Sequence, residues 1–565
     1  MLSVVPGLRL LQLLACLFVL ADMAGGIRWY SPVPFSDMWE GYIGFYDRVQ
    51  WGGWSGWLAF HNEHRIFLAR LLFWLDLSCF QGNLIFLYLV NYLLLGAISL
   101  VFYRYLVWCE PLSVRRKVLA TVMLLPLFSW VQAGNLVWAF QSQFFMAQLL
   151  PLSAFYLLDR ALASHDDSGG RLYIMACLAG LISPLAMANG VLALPLMLLQ
   201  VCIAQGRRSW CYQLLLLTVL VWGLYFRGYT SPEEHGGVIH ALLTHPFTLT
   251  LHVFSYLGGP LYRFAGEHAW SIWLARSVGM LAIVLLGVAC LRRLAGQKKN
   301  PVKDWGLVIF GIYILGTAVA TAGGRMKLGV DPVMVSRYTT PTLMLWVALL
   351  VLYRHALHAL WRMPSFFCGG LLRAVACCLL VGMIHVQLKA LRSHAAELYE
   401  RRVSAIALAL GIADSSQIEQ VGQPARQIMR LAALAVRHDW SVFGTEILRD
   451  LSVRIGGAPV VTAERSPVLS CAVVWYSGAS YMSGNSSYRQ IYGRLDGSGS
   501  VQGDEWAYLL DERNIPVGVL SLMKEKKGGW HMKGYRLAFQ DTAAMKLFYP
   551  QTGVTCPLHE ENREG

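Results

Sequence analysis

Apolar residues occur along this chain in long, nearly unbroken runs, unlike the short alternating stretches typical of a soluble protein. Early runs cover residues 8–26, 84–108 and 118–131, and the last covers 366–384. A helix of about 20 apolar residues spans the hydrocarbon core of a bilayer, and counting such runs gives about eleven spans. The pattern therefore predicts a polytopic α-helical membrane protein.

The character of the sequence changes after residue 387. Residues 388–457 alternate charged and apolar positions at helical spacing, whereas 458–565 holds short apolar runs separated by Gly- and Ser-rich turns. We therefore expect three parts: a transmembrane module at 1–387, a helical segment at 388–457 and a β-rich domain at 458–565. The last two parts together form a small α+β domain.

The charge distribution sets the expected topology. The net charge is +14, but only 14% of the residues are charged, and the Lys and Arg residues concentrate in short loops between apolar runs. Such loops face the cytoplasm in most membrane proteins, so the charge does not indicate a nucleic-acid partner. This rule places the N-terminus in the cytoplasm, and the loop 28–70 and the C-terminal domain outside.

The twelve cysteines do not form a disulfide framework or a zinc motif. Most lie inside apolar runs, where cysteine behaves as a small hydrophobic residue. No C-x-x-C pair occurs. Only Cys471 and Cys556 fall in a clearly soluble region, and they are able to pair if that region lies in an oxidising compartment.

The loop 28–70 is rich in carboxylates and aromatic residues. Asp37 and Glu40 follow the first apolar run closely. A carboxylate at the membrane–water boundary can serve as a general base or organise a metal ion, because partial burial tunes its pKa. An ordinary solvated loop acid beside an aromatic belt fits the pattern equally well.

Two further segments carry polar side chains that suit a saccharide. Glu63 and His64 lie in the segment His61–Arg65, which lacks the H-E-x-x-H zinc spacing. Gln141 and Gln143 follow Trp138, and amides together with aromatic rings can bind sugar hydroxyls. A polar helix anchor in the first case, and helix-end amides in the second, are the alternative interpretations.

Three cations occur where the topology predicts an outward loop. They are Arg325, Lys327 and Arg337. Outward loops of membrane proteins usually contain few Lys and Arg residues, so three here are unexpected. Guanidinium groups bind phosphate through two parallel hydrogen bonds, and a phosphate at the outer membrane surface belongs to a lipid head group. The alternative is a structural ion pair with Asp331.

Several motifs of other protein classes are absent from the sequence. There is no G-x-x-x-x-G-K-[ST] loop for a nucleotide-driven pump and no G-x-S-x-G nucleophile elbow. Few ionisable residues lie in the apolar runs, so a proton relay of the kind that secondary transporters use is not indicated.

These features together resemble the GT-C superfamily of integral-membrane glycosyltransferases. More closely, five segments carry a resemblance within this superfamily, namely Phe35–Glu40, His61–Arg65, Asn135–Gln141, Ala188–Gly190 and Ser336–Thr340. They look like a bacterial subgroup that is similar to the type IV pilin arabinofuranosyltransferases, and the resemblance covers residues 1–388.

The resemblance implies a sugar donor linked to polyprenyl phosphate and an acceptor, pilin or a surface glycan, on the periplasmic side of a bacterial inner membrane. Asp37 takes the catalytic acidic position, with Glu40 beside it at a spacing that departs from D-x-D. Arg325, Lys327, Arg337 and Tyr338 would bind the donor phosphate. The sugar and acceptor would contact Glu63, His64, Gln141, Gln143 and Asn189. Whether a divalent cation takes part stays open.

Two other functions remain compatible with the sequence. A transporter or flippase for lipid-linked saccharides would share the cationic outer site, although it would need a polar path through the spans. A non-catalytic subunit of a polysaccharide assembly system would not need Asp37 at all.

Overall fold

The computed structural model of the protein describes residues 4–164, 166–229, 237–266, 268–296, 305–329, 333–363, 369–460, 471–476, 487–496, 505–525, 529–538 and 545–560. These residues are mostly helical. The chain divides into two compact units. The first comprises Met1–Arg28, Trp57–Leu71 and Leu87–Arg392, and the second comprises Trp29–Gly56, Leu72–Phe86 and Ser393–Gly565.

Nineteen α-helices precede residue 388 in the described part of the chain. The first ten are α1 (Val4–Arg28), α2 (Gly44–Gly52), α3 (Ser55–Leu58), α4 (Phe67–Phe80), α5 (Ile85–Cys109), α6 (Val114–Leu127), α7 (Ala133–Leu136), α8 (Ser142–Ala163), α9 (Ser168–Ile182) and α10 (Ala193–Ile203). The others are α11 (Arg208–Tyr225), α12 (Val238–Thr244), α13 (Pro246–Leu257), α14 (Gly259–Ala265), α15 (Ala269–Gly296), α16 (Trp305–Arg325), α17 (Thr339–Leu352), α18 (Arg354–Arg362) and α19 (Leu371–Gln387).

Seven helices of the described chain are long and apolar enough to cross a membrane. They are Pro6–Arg28, Ile85–Cys109, Val114–Leu136, Ser168–Leu185, Ala269–Gly296, Trp305–Arg325 and Leu371–Leu391. An eighth results if the pair Ser336–Leu352 and Arg354–Arg362, bent by 69°, counts as one span. Membrane character is thus supported, whereas the expected number of eleven stays a prediction.

Two helices, α8 and α10, explain part of the difference between the seven or eight observed spans and the eleven expected ones. Helix α8 is 22 residues long, but it carries Gln143, Gln148, Asp159 and Arg160, which lower its apolar content. Helix α10 is strongly apolar but has only 11 residues, too few to cross the ~30 Å hydrocarbon core at 1.5 Å per residue.

The apolar stretch 247–264 forms two helices, α13 and α14, that meet at Gly258. Helix α13 packs closely on α15, because two glycines remove the side chains at the crossing. A Cβ at Gly258 would lie 1.8 Å from the Ala275 carbonyl oxygen, and one at Gly279 would lie 2.0 Å from that of Phe254. Its two short helices each have fewer residues than a full span.

The C-terminal part of the second unit begins with helices. They are α20 (Ala395–Ala409), α21 (Ser415–Ile418), α22 (Ala425–Arg437) and α23 (Leu451–Arg454). Helix α22 is amphipathic and buries Ile428, Leu431 and Ala435, which are spaced three and four residues apart. The helical character expected for 388–457 is therefore present.

Seven strands follow these helices in the described chain. They are β1 (Cys471–Tyr476), β2 (Tyr488–Asp496), β3 (Trp506–Leu510), β4 (Pro516–Lys524), β5 (Trp530–Leu537), β6 (Lys546–Tyr549) and β7 (Val554–Glu560). They close into a barrel in the order β1-β2-β5-β4-β3-β6-β7, in which only β1 and β7 pair in parallel among the described strands. Closure removes unpaired sheet edges, and the core includes Val473, Leu509, Val517 and Leu547.

One arginine fixes α20 to the barrel. The guanidinium of Arg402 donates to the Ser521 hydroxyl at 3.0 Å, to the Leu522 carbonyl at 3.1 Å and to the Glu505 carboxylate at 2.7 Å. A planar five-donor group suits this three-way contact, which a lysine could not reproduce. The helical and β parts of the second unit are therefore directly connected.

Candidate functional site

The segment that carries Asp37 is anchored within the second unit by the turn before α22. The Ser36 amide donates to the Val421 carbonyl at 2.7 Å, and the Trp39 indole donates to the same oxygen at 3.1 Å. Ser36 itself adopts a left-handed conformation with φ of 53°, which bends the chain just before Asp37. Trp39 is 1% exposed, so it secures this bend by burial as well as by its hydrogen bond.

Asp37 itself is half-buried and keeps its carboxylate unengaged. Its backbone carbonyl accepts from the Gly41 amide at 2.8 Å, whereas its side chain makes no hydrogen bond or ion pair with the residues that the structure describes. A positioned carboxylate that is not satisfied by its own protein is available to accept a proton from a bound hydroxyl.

A π-helix, Trp39–Ile43, begins two residues after Asp37. Such turns are rare and occur frequently at functional sites. Its Tyr42 is fully buried and donates a 2.6 Å hydrogen bond to the buried carboxylate of Asp76. Burial of Asp76 raises its pKa to about 6, although the hydrogen bonds from Tyr42 and Leu84 oppose the increase.

Glu40, the second predicted catalytic acid, is engaged by its own unit. Its carboxylate forms an ion pair with Arg48 and accepts a 2.8 Å hydrogen bond from the Gln427 amide. Burial by itself raises the pKa of Glu40, but the hydrogen bond and charge of Arg48, helped by Gln427 and Arg430, hold it below its usual value. Glu40 is therefore suited to positioning the segment as a stable anion and less suited to taking up a proton.

The segment His61–Arg65 in the first unit forms a tight turn. The His61 amide donates to the His64 carbonyl at 2.8 Å, and the His64 amide donates back at 3.0 Å. Arg65 then donates to the Tyr225 and Arg227 carbonyls at 3.1 and 2.8 Å. Arg65 thus serves as a structural anchor, whereas His64 approaches another motif, since its Nδ1 lies 3.4 Å from the Ala188 amide.

A dense hydrogen-bond network joins two of the motifs that were singled out in the sequence. The Asn135 amide donates to the Arg337 carbonyl and to the Thr340 hydroxyl, both at 2.7 Å. The Thr340 hydroxyl donates to the side-chain amide oxygen of Gln132 at 2.7 Å. The Gly134 amide donates to the Ser336 hydroxyl at 2.9 Å. Segments about 200 residues apart in the sequence are therefore held as one structure.

Buried side-chain amides accompany this network in the first unit. Gln141 and Gln143 are 1% and 4% exposed, and their side-chain oxygens have no hydrogen-bond partner among the described residues. The same holds for the Asn189 oxygen, although its Nδ2 donates to the Thr317 hydroxyl at 3.2 Å. Buried polar atoms normally form hydrogen bonds, so these oxygens are acceptors that still lack a donor among the described residues.

The cations expected to bind phosphate also lie in the first unit. Arg337 is half-buried, its Nε is buried without a partner, and its guanidinium lies 5.4 Å from the centre of the Tyr338 ring. Arg325 ends α16 and is half-buried, while Lys327 is exposed. Within the described chain, none of the three forms an ion pair with an acid, and Asp331, the alternative partner, lies outside the described residues.

Tyr338 belongs to an aromatic cluster beside Arg337. Its ring centre lies 5.7 Å from that of Tyr256 and 6.1 Å from that of Phe144. Tyr338 and Tyr256 are 8% and 1% exposed. The sequence did not indicate Tyr256, because an aromatic residue in the apolar stretch 247–264 looks like any other core residue.

The predicted site residues therefore divide between the units. Asp37 and Glu40 belong to the second unit, and the other predicted site residues belong to the first. Within the first unit, direct contacts join His64 to Ala188, beside Asn189, and Asn135 to Arg337, beside Tyr338. That Asp37 and the phosphate-binding cations act at one site stays a prediction.

Neither the sequence nor the structure identifies a metal centre. Among the described residues, no group of three His, Cys, Asp or Glu side chains is arranged to hold a metal ion. Compared with known protein families, curated proteins and solved structures, the chain has no significant match.

Proposed function

We propose that the protein is a membrane glycosyltransferase that moves a sugar from a polyprenyl-phosphate donor to an acceptor outside a bacterial inner membrane. The acceptor would be a pilin or a surface glycan. The observation that carries the proposal is Arg337, a half-buried cation without an acidic partner in the described chain. A partly buried charge is costly unless it is compensated, so an anionic ligand is its natural partner.

The surroundings of Arg337 support a lipid phosphate as that ligand. Tyr338, Tyr256 and Phe144 offer an apolar aromatic surface next to the guanidinium. A polyprenyl phosphate combines these two chemistries, an anionic head and an apolar chain. Arg337 would bind the phosphate through two hydrogen bonds and stabilise the charge that develops on it as it leaves.

The buried amides support the sugar part of the donor. Gln141, Gln143 and Asn189 each present a buried oxygen without a partner in the described chain, and sugar hydroxyls donate to such oxygens. His64 and Glu63 lie in the turn that approaches Ala188 and would extend this polar surface. The proposal assigns these five residues to sugar or acceptor recognition.

Asp37 would act on the acceptor. In an inverting transfer, the acceptor oxygen attacks the anomeric carbon, and the bond from that carbon to the phosphate oxygen breaks. Polyprenyl phosphate leaves with the electron pair, and the hydroxyl proton passes to the Asp37 carboxylate. The unengaged state of that carboxylate supports this role, whereas the ion pair of Glu40 with Arg48 supports a positioning role for Glu40.

The proposal includes a GT-C-like module with about eleven spans and a periplasmic C-terminal domain. Cys556 of the barrel is disulfide-bonded, which supports an oxidising compartment for that domain. The N-terminus would then lie in the cytoplasm, as the basic loops predict.

A transfer assay with purified protein in detergent tests the proposal. Lipid extract from the native membrane supplies the donors, and mass spectrometry follows the mass of a glycan or pilin acceptor. We expect a mass increase of one sugar that depends on the protein. Envelope glycans and pilins from cells with and without the gene identify the natural product. Because detergent leaves no second compartment, a flippase gives no product in this assay, and that outcome contradicts the proposal.

A further inference from the structure

A cleft of about 630 Å³ lies in the second unit between the start of α2 and one face of α22. Its first wall is formed by Glu40, Gly44, Asp47 and Arg48, and its second by Arg430, Leu431, Ala433, Leu434 and Arg437. Small-molecule sites usually have volumes of about 300–1,000 Å³. The cleft therefore has the size of a ligand site, and the assigned roles of Asp37 and Glu40 do not account for it.

The charges in the cleft are only partly compensated. Glu40 and Arg48 neutralise each other. Arg430, Arg437 and Asp47 form no hydrogen bond or ion pair with the residues that the structure describes, although the charge of Arg430 also acts on Glu40. The hydrogen-bonding groups of two guanidinium groups and one carboxylate are thus left to meet a ligand.

The spacing of the two arginines defines what they can hold. Arg430 and Arg437 are seven residues apart on α22, so they lie on the same side of the helix, about 10 Å apart along its axis. Leu434 lies between them and is half-buried. A ligand held there meets a cation at each end and an apolar surface in the middle.

We propose that this cleft binds an anionic saccharide, with its carboxylate or phosphate on Arg430 or Arg437. A sugar ring presents C–H groups to Leu434 and hydroxyls to the Asp47 carboxylate, so it matches the mixed lining. An acidic protein segment fits less well, because Asp47 repels additional carboxylates. Binding of an anionic saccharide does not depend on the transferase activity. Only the role of that saccharide as part of the acceptor rests on the proposed function.

Saturation-transfer NMR on the detergent-solubilised full-length protein tests the proposal. The probes are glucuronic acid, glucose 6-phosphate, neutral glucose and a glutamate-rich hexapeptide. We expect the two charged sugars to bind. Neutral glucose should bind at least about tenfold more weakly, because it lacks the charge-assisted hydrogen bond that a carboxylate or phosphate makes. Comparing the carboxylate with the phosphate sugar identifies the preferred anion.

Matched variants localise the binding. Replacing both arginines, Arg430→Gln with Arg437→Gln, is expected to weaken glucuronic acid binding at least about tenfold. Arg426→Gln removes an exposed charge from the same helix outside the cleft, so binding should be unchanged. Equal binding of glucose and glucuronic acid, or an unaffected double variant, overturns the proposal.

Two further outcomes separate this proposal from others. Tighter binding of the hexapeptide than of both charged sugars overturns the saccharide assignment and identifies a protein partner. Charged-sugar binding that depends on Arg430 and Arg437, without any transfer product in the detergent assay, supports the cleft and contradicts the transferase. Transfer without such binding supports the transferase and overturns the cleft.

Discussion

The amide of Gln427 donates a 2.8 Å hydrogen bond to the carboxylate of Glu40, across 387 residues of sequence. Together with the Arg48 ion pair, this contact keeps Glu40 charged and fixed. Asp37, three residues earlier, has no such partner in the described chain. Two acids that look alike in the sequence thus have different environments, and different environments give carboxylates different chemical roles.

Asp37→Asn should abolish transfer while leaving the fold intact. The substitution keeps the size of the side chain but removes the proton acceptor, and general bases contribute about 100- to 10,000-fold to rates. No hydrogen bond in the described chain is lost, so thermal stability should not change. Transfer rates by mass spectrometry and the melting temperature in detergent check both expectations. Wild-type activity in this variant contradicts the assignment of the base.

Glu40→Gln is the matched comparison and should behave differently. It removes the Arg48 ion pair, which involves side chains 38–39% exposed, so the loss of stability should be about 1 kcal/mol or less. The pKa of Glu40 is held below its usual value in the folded protein. Its contribution to stability is therefore present above the pKa of the unfolded chain and is lost as pH falls through the pKa of the folded protein. Thermal melts as a function of pH measure this. Loss of transfer as complete as in Asp37→Asn indicates that Glu40 acts in catalysis directly.

Arg337→Gln should weaken the use of the lipid donor. A charge-assisted hydrogen bond is worth about 1.5–3 kcal/mol, so the KM for the donor should increase about 10- to 150-fold. Arg337→Lys keeps the charge but loses the bidentate geometry. Its KM for the donor should therefore lie between those of Arg337→Gln and the wild type. Donor titrations at fixed acceptor give these constants. A KM for the donor that is unchanged in Arg337→Gln removes the phosphate role.

The sequence predicts the local features of this molecule well. Long apolar runs predict α1, α5, α15 and α16, since a bilayer-length apolar run has few alternatives. Helical spacing over 388–457 predicts helices there, and α20 and α22 lie in that range. Strand β2, Tyr488–Asp496, departs from the short apolar runs that indicate strands in 458–565, because it mixes aromatic and charged residues without a clear alternation.

Contacts between distant segments cannot be predicted in this way. The pairing of Glu40 with Gln427 and the joining of Asn135 to Thr340 depend on tertiary packing, which periodicity does not encode. The cleft beside α22 escaped prediction for the same reason. Arg430 and Arg437 look like the solvated face of an amphipathic helix until the opposing wall, with Asp47, is known.

The disulfide of the barrel should join Cys471 to Cys556. Cys556 is disulfide-bonded, and Cys471 on β1 pairs in register with Leu558, two residues along β7. Removing it with Cys556→Ser should lower the stability of the barrel by about 2–5 kcal/mol. Mass spectrometry of an unreduced digest should detect the cross-linked peptide. Alkylation of both thiols without prior reduction contradicts the pairing and the periplasmic location.

The stability of the second unit should decrease as pH rises, because of Asp76. Burial raises the pKa of this carboxyl from 3.8 to about 6, so the folded unit holds the proton more tightly than the unfolded chain does. The resulting stabilisation, about 3 kcal/mol at most, is present below about pH 4 and is lost as pH rises through about 6.

Asp76→Asn should remove this pH dependence. The asparagine oxygen still accepts the Tyr42 hydrogen bond, and no charge has to be buried at neutral pH. The variant should therefore unfold at a higher temperature than the wild type at pH 7 and at nearly the same temperature at pH 4.5. Asp47→Asn, which changes a carboxyl in the wall of the cleft, should keep the wild-type profile. Tryptophan fluorescence melts in detergent give the melting temperatures of all three proteins as a function of pH. A wild-type pH profile in Asp76→Asn contradicts the prediction, because another group would then cause the pH dependence.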